Sequence, residues 1–434
     1  MSYKRYKEKM KTKNKRNYLK QNGITLIALV VTIVVLLILA GVSLNAIFSE
    51  NGIIKRAQDA QNKMDQATQN DLDAINGLNE WIDGKTNGTT GGEDNPLTTT
   101  KISTLLGTVV DKNIKAEDAF GNKITIPKGF KILAHSENTT TGDVTYTYSG
   151  DNIPTVQDGI VIENGTDGNQ FVWVPVGTIK NKDNTTNTIT LGRYEFDSNT
   201  GVLTSTTPIQ AASVKNCTNV VTTNEKYQEL STFREGNSAT DSTAENATAR
   251  DLKTFIETSL ANGGYYIARY EASGTTEKIT SKYDQTVLTT ITQPNAAKLA
   301  REMYGEVKEN NELVYASDLV NSYAWDTAII FIQTYSIETD ASSYASKNKS
   351  TSFANTGKNN DKYCNICDMS GNVCEWTTEN STYSDDNDLG PCVNRGGIYY
   401  ETFGGALDYT SFRGNGDTTN GVSYYSLRSL LYVK

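Results

Sequence analysis

Residues 24–48, opening on Ile24 and closing on Phe48, contain no charged side chain. A helix of that length, at about 1.5 Å per residue, exceeds the roughly 30 Å of a bilayer's hydrocarbon core, so this run is expected to span a membrane. The 23 residues before it hold nine Lys or Arg and one Glu. The positive-inside tendency keeps that basic stretch in the cytoplasm and sends the rest of the chain to the outer face. A cleaved secretory signal would have a shorter apolar core and a small-residue cleavage site after it, and neither is present.

The leader also changes how the net charge of −9 is read. Downstream of residue 23 there are 32 basic against 49 acidic residues, a net of −17. Phosphate recognition needs a basic patch, and none follows the leader, so nucleic acid is excluded as a partner. A chain of 434 residues is long enough for two folded units with connectors. Its body is rich in Thr, Asn, Ser, Gly and Tyr, with 24 Tyr against 11 Phe, one His and seven Pro, a composition in keeping with a secreted β-rich protein.

After the apolar run, Ile53, Ala57, Ala60, Met64 and Ala67 recur at spacings of four and three, and Ala74, Leu78 and Trp81 resume the stripe. This heptad pattern predicts an amphipathic helix to near residue 82, either packed against neighbouring subunits or standing as a simple stalk. The stretch G-K-T-N-G-T-T-G-G-E-D-N-P-L-T-T-T at 84–100 has four Gly, one Pro and no apolar run, and reads as a flexible linker. Beyond it, short apolar runs bounded by Gly, Asn and Asp at 123–126, 159–162, 171–176 and 264–271 read as strands. Helices are expected at 296–303 and 319–332. Strands that outnumber helices, with long irregular connections, give an α+β class.

Two resemblances sharpen these expectations. G-I-T-L-I at 23–27, after a basic stretch, resembles the type IV prepilin leader. It implies cleavage after Gly23, N-terminal methylation of Ile24 and pilin-like self-assembly, with an uncleaved signal anchor as the alternative. The fifth position after Gly23 is Ala28 where pilins carry Glu. The body resembles the formylglycine-generating-enzyme (sulfatase-modifying-factor) family of C-type-lectin-like folds. The resemblance rests on F-V-W-V-P-V at 171–176, Y-Y-I-A-R-Y-E-A at 265–272, S-Y-A-W-D at 322–326, D-M-S-G-N-V-C-E-W at 368–376, R-G-G at 395–397 and L-R-S at 427–429.

The enzymes of that family place a reactive cysteine directly after the closing Arg, where this chain has Ser429. A branch that holds non-haem iron needs several His, and only His135 is present. The resemblance therefore implies the fold without the chemistry. It also implies a structural Ca²⁺ held by Asp368, the carbonyls of Gly371 and Val373, and Glu375, all hard oxygen ligands; the alternative is that Asp368 and Glu375 only cap a tight turn. Of the five cysteines, four lie between 364 and 392. Outside a membrane they favour a disulfide, Cys374 with Cys392, over a tetrathiolate zinc site.

Residues 398–425 mix Tyr with Asn, Asp, Ser, Thr and Gly, the economy of an antibody paratope. Their place between R-G-G and the closing Arg resembles the variable region of proteins diversified by retroelements. Candidate ligand contacts are Tyr399, Tyr400, Glu401, Phe403, Asp408, Tyr409, Asn415, Asp417, Tyr424 and Tyr425. The expected organisation is a leader at 1–23, a membrane and stalk helix at 24–83, a linker at 84–112 and a C-type-lectin-like domain at 113–434. The expected protein is a non-enzymatic, adhesin-like binder of a protein or glycan on another surface, membrane-anchored on the extracellular face or in a pilus. The alternatives are a formylglycine-generating-type oxidase and a minor pseudopilin.

Overall fold

Runs of β-branched and aromatic residues broken by Gly and Asn favour pleated, half-buried strands, and they build the frame seen in the computed structural model. The structure describes residues 100–133, 136–137, 144–145, 153–197, 200–212, 227–229, 252–336, 352–359, 361–381, 392–399, 409–416 and 421–434, together with Val34. The chain divides into two units, residues 1–97 and 98–434.

The second unit is organised by two sheets. The larger has seven strands: β1 (Phe130–Ile132), β2 (Val161–Asn164), β3 (Gln170–Pro175), β5 (Gly264–Ala268), β6 (Glu306–Glu309), β7 (Glu312–Leu319) and β12 (Ser429–Val433). They run in the order β6-β7-β12-β5-β3-β2-β1, antiparallel throughout. The smaller sheet joins β4 (Tyr227–Gln228), β8 (Cys374–Ser381), β9 (Cys392–Arg395) and β10 (Arg413–Gly416), with β11 (Tyr425–Leu427) parallel to β8.

Every residue of β3 and β5 is buried, as a strand covered on both faces requires. Trp173 on β3 packs edge-on against Tyr266 on β5, ring centroids 4.9 Å apart. A Cβ at Gly264 would come within 2.5 Å of both the Trp173 ring and the Val174 carbonyl, so only glycine lets β5 start this close to β3. Helix α1 (Leu252–Asn262) lies against β5 and β12, α2 (Gln293–Glu302) against β7 and β8, and α3 (Ser322–Tyr335) against β3 and β8. The Asn321 side chain caps α3 by accepting from the Ala324 N–H at 2.9 Å, a bond worth about 1 kcal/mol.

The fold class read from the sequence needs correction. The described chain is mostly β sheet, with three α-helices of 11, 10 and 14 residues, rather than an α+β lectin-like domain behind a long N-terminal helix. The membrane-anchored location expected from residues 24–48 meets one correction: no helix among the described residues is long and apolar enough to cross a membrane. Of the leader and the helix expected at 24–83, only Val34 is described; the processing pair Gly23 and Ile24 lies outside the described residues. The folded unit also starts earlier than expected. Thr100–Lys101 pairs with Ile114–Glu117 and Ile102 is buried, so residues 100–112 belong to the fold and not to a linker.

Candidate ligand-binding surface

The residues that marked the sequence are mostly spent inside, in two charge networks. The first forms where the chain leaves β11 for β12 and so passes from one sheet to the other. Arg428 is the single residue at that joint. Its Nη2 stands 2.7 Å from Glu375 Oε1 and its Nε donates to Oε2 at 3.1 Å; both side chains are fully buried. The same guanidinium donates to the carbonyls of Ala268, Cys367 and Asp368 at 2.9, 2.9 and 3.2 Å. Glu271 sits beside it and accepts from Asn372 Nδ2 at 2.5 Å and the Val373 N–H at 3.2 Å. Asp368 Oδ2 accepts from the Gly357 N–H at 2.5 Å.

Three carboxylates thus share one guanidinium in a dry interior. Burial is the main cause of their raised pKa values, opposed by Arg428: Asp368 is pushed up to about 6 and Glu375 to about 7. Glu271 is raised well above the carboxylate range by burial and then by its neighbours Asp368 and Glu375. Two of the residues expected to hold calcium, Asp368 and Glu375, lie in this arrangement beside Arg428. Both Glu375 oxygens face guanidinium nitrogens, so a cation there would stand against a fixed positive charge. Among the described residues no group of three or more His, Cys, Asp or Glu is arranged to hold a metal ion.

The second network ties α3 to the C-terminal segment. Arg395, from R-G-G, reaches Asp326 of α3 at 2.6 Å and Glu379 of β8 at 3.4 Å. Arg413 of β10 reaches Asp326 at 2.7 Å and Glu379 at 3.2 Å, and Arg193 meets Glu379 at 2.8 Å. Burial alone would raise the Glu379 pKa, yet Arg413, Arg193 and Arg395 together hold it at about 2. Two further bonds fix the backbone beside it: Arg395 Nε donates to the Phe412 carbonyl at 3.0 Å, and Trp325 Nε1 to the Thr410 carbonyl at 2.9 Å. Residues 410–413 are thus tied to the buried network.

The candidate contacts divide around this anchor. Tyr399, Tyr409, Asn415, Tyr424 and Tyr425 are all half-buried. The Tyr399 ring meets Phe353 edge-on at 5.8 Å. Tyr409 lies over Gly201, where an added Cβ would approach its ring to 2.7 Å. Tyr424 packs on Tyr425 at 5.0 Å and Tyr425 on Trp376 at 4.5 Å. Asn415 Nδ2 donates to Ser381 Oγ at 2.9 Å. The tyrosines at 424–425 and Asn415 stand on opposite sides of β8: Tyr425 pairs with Cys374 through β11, and Asn415 lies two strands away on β10. Tyr400, Glu401, Phe403, Asp408 and Asp417 lie outside the described residues.

The expected disulfide is excluded by register. Cys392 pairs with Asn380, six residues along β8 from Cys374 and roughly 20 Å away at strand rise, beyond the ~7 Å Cα reach of a disulfide. The four described cysteines are free thiols, and burial pushes those of Cys364 and Cys367 up to about 12. Ser429 is a buried ladder residue opposite Leu319. Sequence reasoning missed Arg193, Glu379 and Arg413, which lie outside the motifs that carried the resemblance. It also missed Asn394 of β9, which is 1% exposed with neither polar side-chain atom hydrogen-bonded.

No protein-family profile matches the chain and no curated protein matches it. Two solved structures are similar to it at low superposition. One is a crystal structure of CarF, at 15% identity over 39% of this chain and 87% of that one, TM-score 0.27. The other is Treponema denticola variable protein 1, at 11% identity over 62% of this chain and 97% of that one, TM-score 0.26.

Proposed function

We propose that residues 398–425 form a ligand-binding surface on a rigid, non-catalytic scaffold. The observation that carries this reading is the clamp on 410–413: Arg395, Arg413, Asp326, Glu379 and Trp325 fix the backbone, while Tyr399, Tyr409 and Tyr424 stay half-buried around it. Tyrosine offers large amphipathic contact area at small conformational cost, and a fixed backbone removes most of the ordering penalty of binding. The burial of Ser429 in a strand ladder supports the non-catalytic reading. The ligand is a protein or a glycan.

The test is a binding screen of the protein against glycan and surface-protein panels. The expected result is a binder whose affinity falls about tenfold or more in Tyr399→Ala or Tyr424→Ala, a loss of about 1.4 kcal/mol each, with the melting temperature unchanged. No binder in either panel, or a binder indifferent to both substitutions, would overturn the reading. Diversification of this segment has its own test, a near-identical adenine-rich copy of its coding sequence beside a reverse-transcriptase gene.

A further inference from the structure

Helix α2 carries Asn295, Lys298, Leu299 and Glu302 at i, i+3, i+4 and i+7, a single stripe along one face. That stripe borders a cavity of about 370 Å³, whose facing wall is Thr276 and Glu277, from the tip of the hairpin formed by Ser273–Gly274 and Ile279–Thr280, and Thr290. The volume falls at the small end of the range for metabolite pockets. Its floor is apolar, since Ile291 and Leu299 are both buried. Its rim is charged: Glu277 on one side, Lys298 and Glu302 on the other.

Among the described residues none of these three charged side chains makes an ion pair, although Lys298 and Glu302 lie one helical turn apart. Thr290 adds a second peculiarity. It is β-branched yet holds φ 62°, in the left-handed region, and its N–H donates to the Val422 carbonyl at 3.1 Å. Backbone held in this region by surrounding contacts is typical of ligand clamps.

We infer that this cavity binds a free aliphatic α-amino acid. The ligand's ammonium fits between the Glu277 and Glu302 carboxylates, its carboxylate meets the Lys298 ammonium, and its side chain rests on Ile291 and Leu299. A zwitterion answers all three unpaired charges at once. A dianion would face two carboxylates, and a simple diamine would face Lys298. The site shares no candidate contact with the tyrosine surface, although Val422 of that segment holds Thr290.

Calorimetric titration of the full chain tests this with three probes: L-valine, isobutylamine as the amine alone, and isobutyrate as the carboxylate alone. Valine is expected to bind and to raise the melting temperature. Lys298→Met should weaken valine about tenfold or more while leaving isobutylamine unchanged, and Glu302→Gln should weaken both. All three charged residues are exposed, so these variants should fold as the parent does; Asn295→Trp, also at an exposed position, fills the cavity and should abolish valine binding. No heat with valine at millimolar concentration overturns the inference. So does valine binding that survives Lys298→Met and Asn295→Trp, or isobutyrate binding as tightly as valine.

Discussion

Replacing Arg428 by Met removes the one cation from a pocket that holds Glu271, Asp368 and Glu375. Arg428 and Glu375 are both fully buried, and breaking such a pair from one side costs about 3–5 kcal/mol because the remaining charge is left uncompensated. The carbonyls of Ala268, Cys367 and Asp368 lose a charged donor as well, and an abandoned buried acceptor costs about 1–3 kcal/mol. These terms overlap, but even about 5 kcal/mol equals the lower end of the total stability of a domain. Arg428→Met is therefore expected to lose most of its folded population at neutral pH.

Urea titration followed by tryptophan fluorescence reads this directly, since Trp173, Trp325 and Trp376 are all fully buried. The pH arm tests the cause. A carboxyl whose pKa is raised in the folded state contributes stability that is complete below its unfolded pKa and lost as pH rises through its folded pKa. For Asp368 and Glu375 that window runs from about 4 to about 6 and about 7. The parent should thus be more stable near pH 5 than near pH 8, roughly speaking, and the deficit of Arg428→Met should shrink as pH falls because protonated carboxyls no longer need the guanidinium. A variant melting within about 3 °C of the parent at neutral pH would refute the argument, given that a unit of roughly 340 residues moves about 1.4 °C per kcal/mol. A deficit that widens on acidification would refute it too.

Three further outcomes follow from the same geometry. Asn394→Leu, a near-isosteric change at a buried carboxamide without partners, should stabilise by about 1–3 kcal/mol, visible as a higher urea midpoint. Arg413→Met should cost about 3 kcal/mol, the low end for a buried pair because its side chain keeps 13% exposure. Glu379, held at about 2, contributes stability above its usual pKa that is lost as pH falls toward 2, so the Arg413 variant should show a flatter acid limb in stability against pH. Chelator should leave the melting temperature unchanged, since Arg428 already faces the Glu375 oxygens; a drop of several degrees would restore calcium to the site.

The strands at 123–126, 161–164, 170–175 and 264–268 were legible because β-branched and aromatic runs ended on Gly, Pro or Asn. Helix α1 was not. Its inward face is Leu252, Phe255 and Ile256 followed by Thr258 and Ser259, so the apolar stripe fades after one turn. The start of the fold was also hidden: its buried apolar residues, Ile102 and Val110, lie eight positions apart, too sparse to register as a strand. The motif residues were recognised as markers, but their use was not. Composition places charged residues at the surface, and only the register of β8 with β9 and β11 reveals that Glu375, Glu379 and Arg395 point into the interior. The same register separates Cys374 from Cys392, a distance no spacing along the sequence could give.

The partition of arginine bears on what the surface can recognise. The six arginines among the described residues are Arg193, Arg269, Arg301, Arg395, Arg413 and Arg428, and each is committed to the interior. Arg301 pairs with Asp318 at 3.0 Å, Arg269 donates to Gln170 at 3.1 Å, and the other four belong to the two networks. Arginine is the side chain that grips planar anions in two-point fashion, and none is left for the described part of the 398–425 segment to present. Its half-buried residues include Tyr399, Tyr409, Asn415, Tyr424 and Tyr425, and its half-buried Arg413 is already paired with Asp326 and Glu379, on a chain that is net acidic after the leader. A sulfated glycan or a phosphorylated partner would meet repulsion without compensation there. Ligand binding should therefore rest on neutral contacts and change by less than about threefold between roughly 50 and 500 mM salt, a range over which the screening length falls from about 14 Å to about 4 Å. An affinity that drops by orders of magnitude across that range would place a cationic contact at the surface and refute the partition argument.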